Sequence, residues 1–111
     1  MGPVAAMLLP IEKLKQPSPR GVPFEREIHD FLSTNLNGYT VASGNISGYW
    51  KDHDGNNLYG EHREYRVALP PSQTVRQTLE MFLGTLAHEM SETCIYMEHG
   101  GEAYLIYAVA Q

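Results

Sequence analysis

Apolar residues recur along this chain at two spacings, and each change of spacing marks a new element. Phe24, Ile28, Phe31, Leu32 and Leu36 repeat every three or four residues, with Glu25, Arg26, His29 and Asp30 on the other side. That pattern predicts a helix over Pro23 to Leu36, opened by Pro23 and stopped by Asn37-Gly38. Val75, Leu79, Phe82, Leu83, Leu86 and Met90 form a second stripe. It predicts a helix from Ser72 to Met90, with Ser72 as its N-cap after Pro70-Pro71. Between the helices the period changes to two. Tyr39 to Lys51 and Leu58 to Leu69 read as the arms of one long hairpin, reversed at Asp54-Gly55-Asn56-Asn57. Gly44 and Gly48 in the first arm indicate a bulge, a strong twist or a close backbone approach. On the second arm Tyr59, Glu61, Arg63, Tyr65, Val67 and Leu69 share one side, and His62, Glu64, Arg66 and Ala68 share the other. Neither side is uniformly apolar near the turn, so the tip is expected to stand clear of the core.

The ends supply the remaining strands. Val4 to Leu9 is a short apolar run that reads as a first strand, followed by a loop over Glu12 to Pro23 punctuated by Pro17, Pro19 and Gly21. Thr93 to Met97 and Ala103 to Val109 are the last two strands, joined by a turn over Glu98 to Glu102. The order predicts an α+β chain in one domain over residues 1–111. Its plan is a ferredoxin-like βαββαβ sandwich with an extra C-terminal strand: an antiparallel sheet with two helices on one face. The last strand is apolar on both sides and wants cover on both, which predicts a homo-oligomer, a dimer or trimer.

Composition narrows the function classes. A hydrophobic fraction of 42% with 19% charged residues is globular composition. The net charge is −5 and the eight basic residues are scattered, which disfavours nucleic acid and anionic membrane surfaces as partners. The single cysteine, Cys94, excludes an internal disulfide and a multi-cysteine zinc site. The Val4 to Ile11 run is far shorter than the roughly 20 residues of a membrane span and lacks a basic leader. A cytoplasmic location is expected.

No complete catalytic set emerges from the spacing. His88 and Glu92 lie four apart and could share a metal, but the zinc-protease pattern needs a second histidine at Glu92, so no metal site is assigned. His62 with Glu64 could act as a general acid–base pair, with Tyr65 as a further candidate. Cross-strand charge pairing accounts for the same residues. Tyr49, Trp50 and Arg63 are the ligand-binding candidates, because strand aromatics can stack on a ligand. Packing in a core or between subunits is the alternative role for the aromatics. His53 between Asp52 and Asp54 suits a turn for backbone reasons and lacks the spacing of a calcium loop. Cys94 has no basic neighbour in sequence and reads as a small buried apolar residue. The glycines form no phosphate-cradling loop.

The stretch Ile46-Ser47-Gly48-Tyr49-Trp50-Lys51, then Glu61 to Leu69, then a helix, resembles the P-II-like superfamily, which includes the cation-tolerance protein CutA. That resemblance implies a ferredoxin-like trimer with a projecting hairpin. The P-II nucleotide loop has no counterpart here, so no ligand residues are carried over. The same hairpin and helix also look like uncharacterised bacterial α+β families, which implies no activity. These features favour a non-enzymatic, homo-oligomeric module that binds a small ligand or a protein, with its cofactor, if any, unknown. The alternatives are a small enzyme of the dimeric α+β barrel kind and a structural or adaptor subunit. An enzyme predicts a pocket of roughly 300 Å³ or more with converging polar groups.

Overall fold

In the computed structural model, which describes residues 3–42 and 44–110, the sheet is built outward from the apolar N-terminal run. Strand β1 (Val4–Pro10) is buried along its whole length after Val4. A strand without a polar side belongs in the middle of a sheet. It pairs antiparallel with β4 (Asn57–Ala68) on one edge and with β5 (Cys94–His99) on the other. Strand β6 (Glu102–Tyr107) forms a hairpin with β5, and β2 (Thr40–Val41) and β3 (Ile46–Lys51) both pair with β4. The result is a six-stranded antiparallel sheet in the order β2–β4–β1–β5–β6, with β3 also on β4. No described helix is long and apolar enough to cross a membrane.

The two long helices fall within a residue or two of their predicted bounds. They are α2 (Phe24–Asn35) and α3 (Gln73–Glu89), after a short α1 (Ile11–Leu14). The Ser72 hydroxyl accepts the Val75 amide and caps α3 as expected. Asn37 at φ +62 and Gly38 at φ +129 turn the chain away from α2. Phe24, Ile28 and Leu32 of α2 and Leu79, Leu83 and Leu86 of α3 join Ala5, Met7 and Leu9, Tyr65 and Val67, and Ile95 and Met97 in one buried cluster. Both helices therefore cover the same face of the sheet.

Three expectations are corrected. The hairpin's first arm is divided: β2 ends at Val41 and β3 begins at Ile46, with Gly44 at φ +88 between them and Ser43 outside the described residues. The hairpin tip does not stand clear. It bends across the face without helices, where the His53 amide donates to the Tyr107 hydroxyl at 3.0 Å and the two rings meet edge to face at 4.6 Å. Trp50 stacks on Tyr96 of β5 at 5.1 Å. That face is thus partly covered by the chain's own hairpin, which lessens the demand for a second copy there.

The third correction concerns the segment after β1. Part of it is the helix α1, and the rest is fastened rather than loose. Arg20 donates to Glu27 of α2 through both Nε and Nη2, and to Glu89 of α3 through both terminal nitrogens. The buried Ser18 hydroxyl also donates to Glu27 at 2.8 Å. Arg20 is 55% exposed, so its removal is worth about 1 kcal/mol after discounting for solvent. Arg20→Ala is expected to speed amide exchange across Gln16 to Pro23 while leaving β1 protected. The Arg20 hydrogen bond also holds the Glu27 carboxyl below its ordinary value of 4.5. A carboxyl depressed on folding contributes stability that is fully present above 4.5 and lost as pH falls through the lower folded value. Acid should therefore loosen the same segment in the wild type, and Arg20→Ala should weaken that pH dependence, leaving the smaller part due to the Ser18 hydrogen bond.

Candidate functional site

The strand alternation that placed Arg63 and Tyr65 on the helix-covered side creates the site. Arg63 stands where its side of β4 passes from the exposed Tyr59 and Glu61 to the buried Tyr65 and Val67, so its half-buried guanidinium favours an anion nearby. Glu25 in the first turn of α2 supplies it, with Arg63 Nη1 3.8 Å from Glu25 Oε2. Around this pair lies a groove of about 750 Å³, rimmed by Val22 and Pro23 and backed by Tyr39, Val41 and Tyr65. Arg26 and Asp30 close its α2 side as an ion pair at 3.2 Å. The Tyr39 ring lies 5.5 Å from the Tyr65 ring, and its hydroxyl meets His29 Nδ1 at 2.9 Å. Burial pushes the Tyr65 phenol above its ordinary value, with the Arg63 guanidinium working against that shift. The phenol is neutral at physiological pH. The groove thus sets two cations and two anions beside two aromatic rings in a space suited to a small molecule.

The candidates named from sequence do not converge. His62 and Glu64 point to the face without helices, and Tyr65 points to the other. His62 is 7% exposed, with its ring centroid 5.0 Å from that of Trp50, so it lies buried beneath the folded hairpin. Its Nδ1 is buried without a hydrogen-bond partner among the described residues. Glu64 faces Arg66 at 3.8 Å. Of the ligand-binding candidates, only Arg63 lines the groove. Trp50 is committed to Tyr96, and Tyr49, 61% exposed, pairs across the hairpin with the equally bare Tyr59.

The remaining clusters have structural explanations. Ser91 at φ +59 ends the helix before Glu92, so His88 and Glu92 do not share a helical face. Glu92 instead pairs with Lys13 at 3.4 Å. Among the described residues no three His, Cys, Asp or Glu side chains group as a metal ion would need. Asp52 spends its carboxylate on the Asp54 and Asn56 amides, shaping the hairpin turn. Cys94 is half-buried, and burial raises its thiol, with Asp52 and Glu92 adding to the effect. Sequence reasoning missed Glu25 and Tyr39. The signal was present in Arg63: a charged residue on the core side of a strand requires a counter-ion from the element that packs over it.

No protein-family model matches the chain, and no curated protein matches it by sequence. Two solved structures share the fold. One is a phage SAM lyase in complex with S-methyl-5'-thioadenosine, with a TM-score of 0.52 and 12% identity over 96% of this chain and 91% of that one. The other is a phage SAM lyase in the apo state, with a TM-score of 0.52 and 13% identity over 99% and 92% of the two chains. At that identity the likeness concerns the fold. It still overturns the preference for a non-enzymatic module, because both of these solved structures, matched over nearly the whole chain, are of an enzyme.

Proposed function

We propose that this chain is a small enzyme that cleaves S-adenosylmethionine, with the groove between α2 and β4 as part of its substrate site. The observation that carries the reading is the end-to-end likeness to a lyase solved with S-methyl-5'-thioadenosine. The chemistry also suits a chain without a nucleophile–base pair. When the amino-acid side of a sulfonium is cleaved by the substrate's own carboxylate, a lactone C–O bond forms at the carbon as its C–S bond breaks, and the sulfur keeps that bond's electron pair and leaves as a neutral thioether. That departure needs no proton from an acid. Orientation and an aromatic, partly dried surrounding then supply much of what the reaction asks of the protein.

Two structural expectations belong to the same proposal. The strand order, with β1 central between β4 and β5 and a helix after each of β1 and β4, supports a ferredoxin-like plan extended by β6. The P-II-like outline is compatible with this at the level of the fold. Self-association is supported by the outer edge of β6, for which no strand partner is described, and by the bare Tyr49–Tyr59 pair on the hairpin.

Native mass spectrometry of the protein, before and after incubation with S-adenosylmethionine, tests the proposal with chromatography of the supernatant. A dimer or trimer that releases S-methyl-5'-thioadenosine faster than buffer alone is expected. No release, together with no bound S-adenosylmethionine or S-methyl-5'-thioadenosine, would overturn the enzymatic reading. A bare monomer would overturn the self-association.

A further inference from the structure

We infer that the groove between α2 and β4 seats an α-amino-carboxylate, with Arg63 receiving the carboxylate and Glu25 the ammonium. This rests on the substrate proposed above and adds which end of it the groove holds. The charge pattern of the lining comes first. Arg26 and Arg63 face Glu25 and Asp30, so the groove's formal charge is balanced. A phosphate would meet two carboxylates, and a simple cation would meet two guanidinium groups. A zwitterion meets an opposite charge at each end.

The second observation is how loosely Arg63 and Glu25 hold each other. Their contact is 3.8 Å, and Glu25 meets its other cation, the exposed Lys15, at 3.8 Å as well. Charge-assisted pairs that are fully formed close to about 2.7–2.9 Å. The clamp that Arg20 makes with Glu27 and Glu89 elsewhere in this chain is that tight. Arg63 lines the groove with a third of its side chain exposed, and its guanidinium is a planar fork that can take a carboxylate through two donors. The ammonium nitrogen and carboxyl carbon of an α-amino acid lie about 2.5 Å apart. An anion and a cation preset 3.8 Å apart can therefore take such a group head to tail, exchanging one long ion pair for two short ones.

The third observation is what lies beyond the charged pair. Tyr39 and Tyr65 line the groove, their ring centroids 5.5 Å apart. Aromatic faces attract a cation once it is partly desolvated, and a sulfonium is a diffuse, weakly hydrated cation of that kind. An amino-acid end held by Arg63 and Glu25 would direct the sulfonium centre toward those rings. The volume of about 750 Å³ leaves room for the remainder of the molecule.

Isothermal titration of the whole chain with three probes tests the assignment: S-adenosylmethionine, S-methyl-5'-thioadenosine, which lacks the amino-acid end, and L-methionine, which lacks the nucleoside. Arg63→Gln and Glu25→Gln should each weaken S-adenosylmethionine binding at least tenfold. Both should leave S-methyl-5'-thioadenosine binding within twofold of the wild type. Arg63→Lys keeps the charge, loses the fork and should fall between, and it serves as the second variant should the glutamine variant misfold. If S-adenosylmethionine is bound and cleaved regardless of Arg63, the seat is wrong and the enzymatic reading stands. If the wild type binds L-methionine through Arg63 but not S-adenosylmethionine, the seat stands and the substrate is wrong. Equal losses for S-adenosylmethionine and S-methyl-5'-thioadenosine would overturn the division into ends. Binding of none of the three would overturn both proposals.

Discussion

Gly48→Ala is expected to drive Trp50 off Tyr96, red-shift the tryptophan emission and destabilise the protein by about 2 kcal/mol, on the order of 8 °C in midpoint. Gly48 of β3 sits directly opposite Gly60 of β4, so the hairpin has a floor of bare backbone on the face without helices. The indole of Trp50 lies against Gly48, and the His62 ring lies against Gly60. A methyl group built on Gly48 would overlap the ring at three of its carbons. The ring cannot slide to make room, because its far side is stacked on Tyr96 at 5.1 Å and its edge rests on His62. Trp50 is the only tryptophan, so its emission reports this contact alone. An unchanged emission maximum would show that the indole is not seated on Gly48. The consequence reaches past β3. Trp50 and the His53–Tyr107 contact together hold the hairpin tip over β5 and β6, so losing the first leaves the fold-back resting on one exposed hydrogen bond.

What the sequence disclosed and what it hid follow from the range of the forces involved. Phe24 to Leu36 and Val75 to Met90 carry their helices in local periodicity, and Ser72 and Asn37-Gly38 mark ends through chemistry within a few residues. Those elements were legible. The glycine at 48 was legible in kind, as a close approach, but not in object, because Trp50 is only two residues away while Tyr96, which fixes it, is far along the chain. The bending of the hairpin depends on Trp50 of β3 meeting Tyr96 of β5 and on His53 meeting Tyr107 of β6, and no local pattern records that. The groove was half legible. Alternation put Arg63 and Tyr65 on the core side, whereas Glu25 looked like one more polar residue on a helical surface until α2 was laid against β4. The burial of His62 was hidden for the same reason: it stands among charged residues in sequence, and the Trp50 ring that packs against it arrives from the other arm of the hairpin.

His62 is therefore where stability and function can be separated by substitution. His62→Ala should destabilise the protein by about 2 kcal/mol, since it empties space beneath Trp50 that little else can fill. His62→Leu should fall within about 1 kcal/mol of the wild type, because it nearly conserves the volume and removes a polar atom buried without a partner. Nδ1 has no hydrogen-bond partner among the described residues, so little is lost with it. Urea unfolding of the three proteins measures the difference directly. Equal losses in both variants would mean that the imidazole makes a polar contact essential to the fold. If His62→Leu matches the wild type in stability and in thioadenosine release, the histidine is a space-filler. If stability holds while release collapses, a buried imidazole with an unpartnered nitrogen serves the chemistry. The face beneath the folded hairpin would then belong to the site, joined to the groove through adjacent residues of β4, where His62 and Arg63 point to opposite sides of one strand.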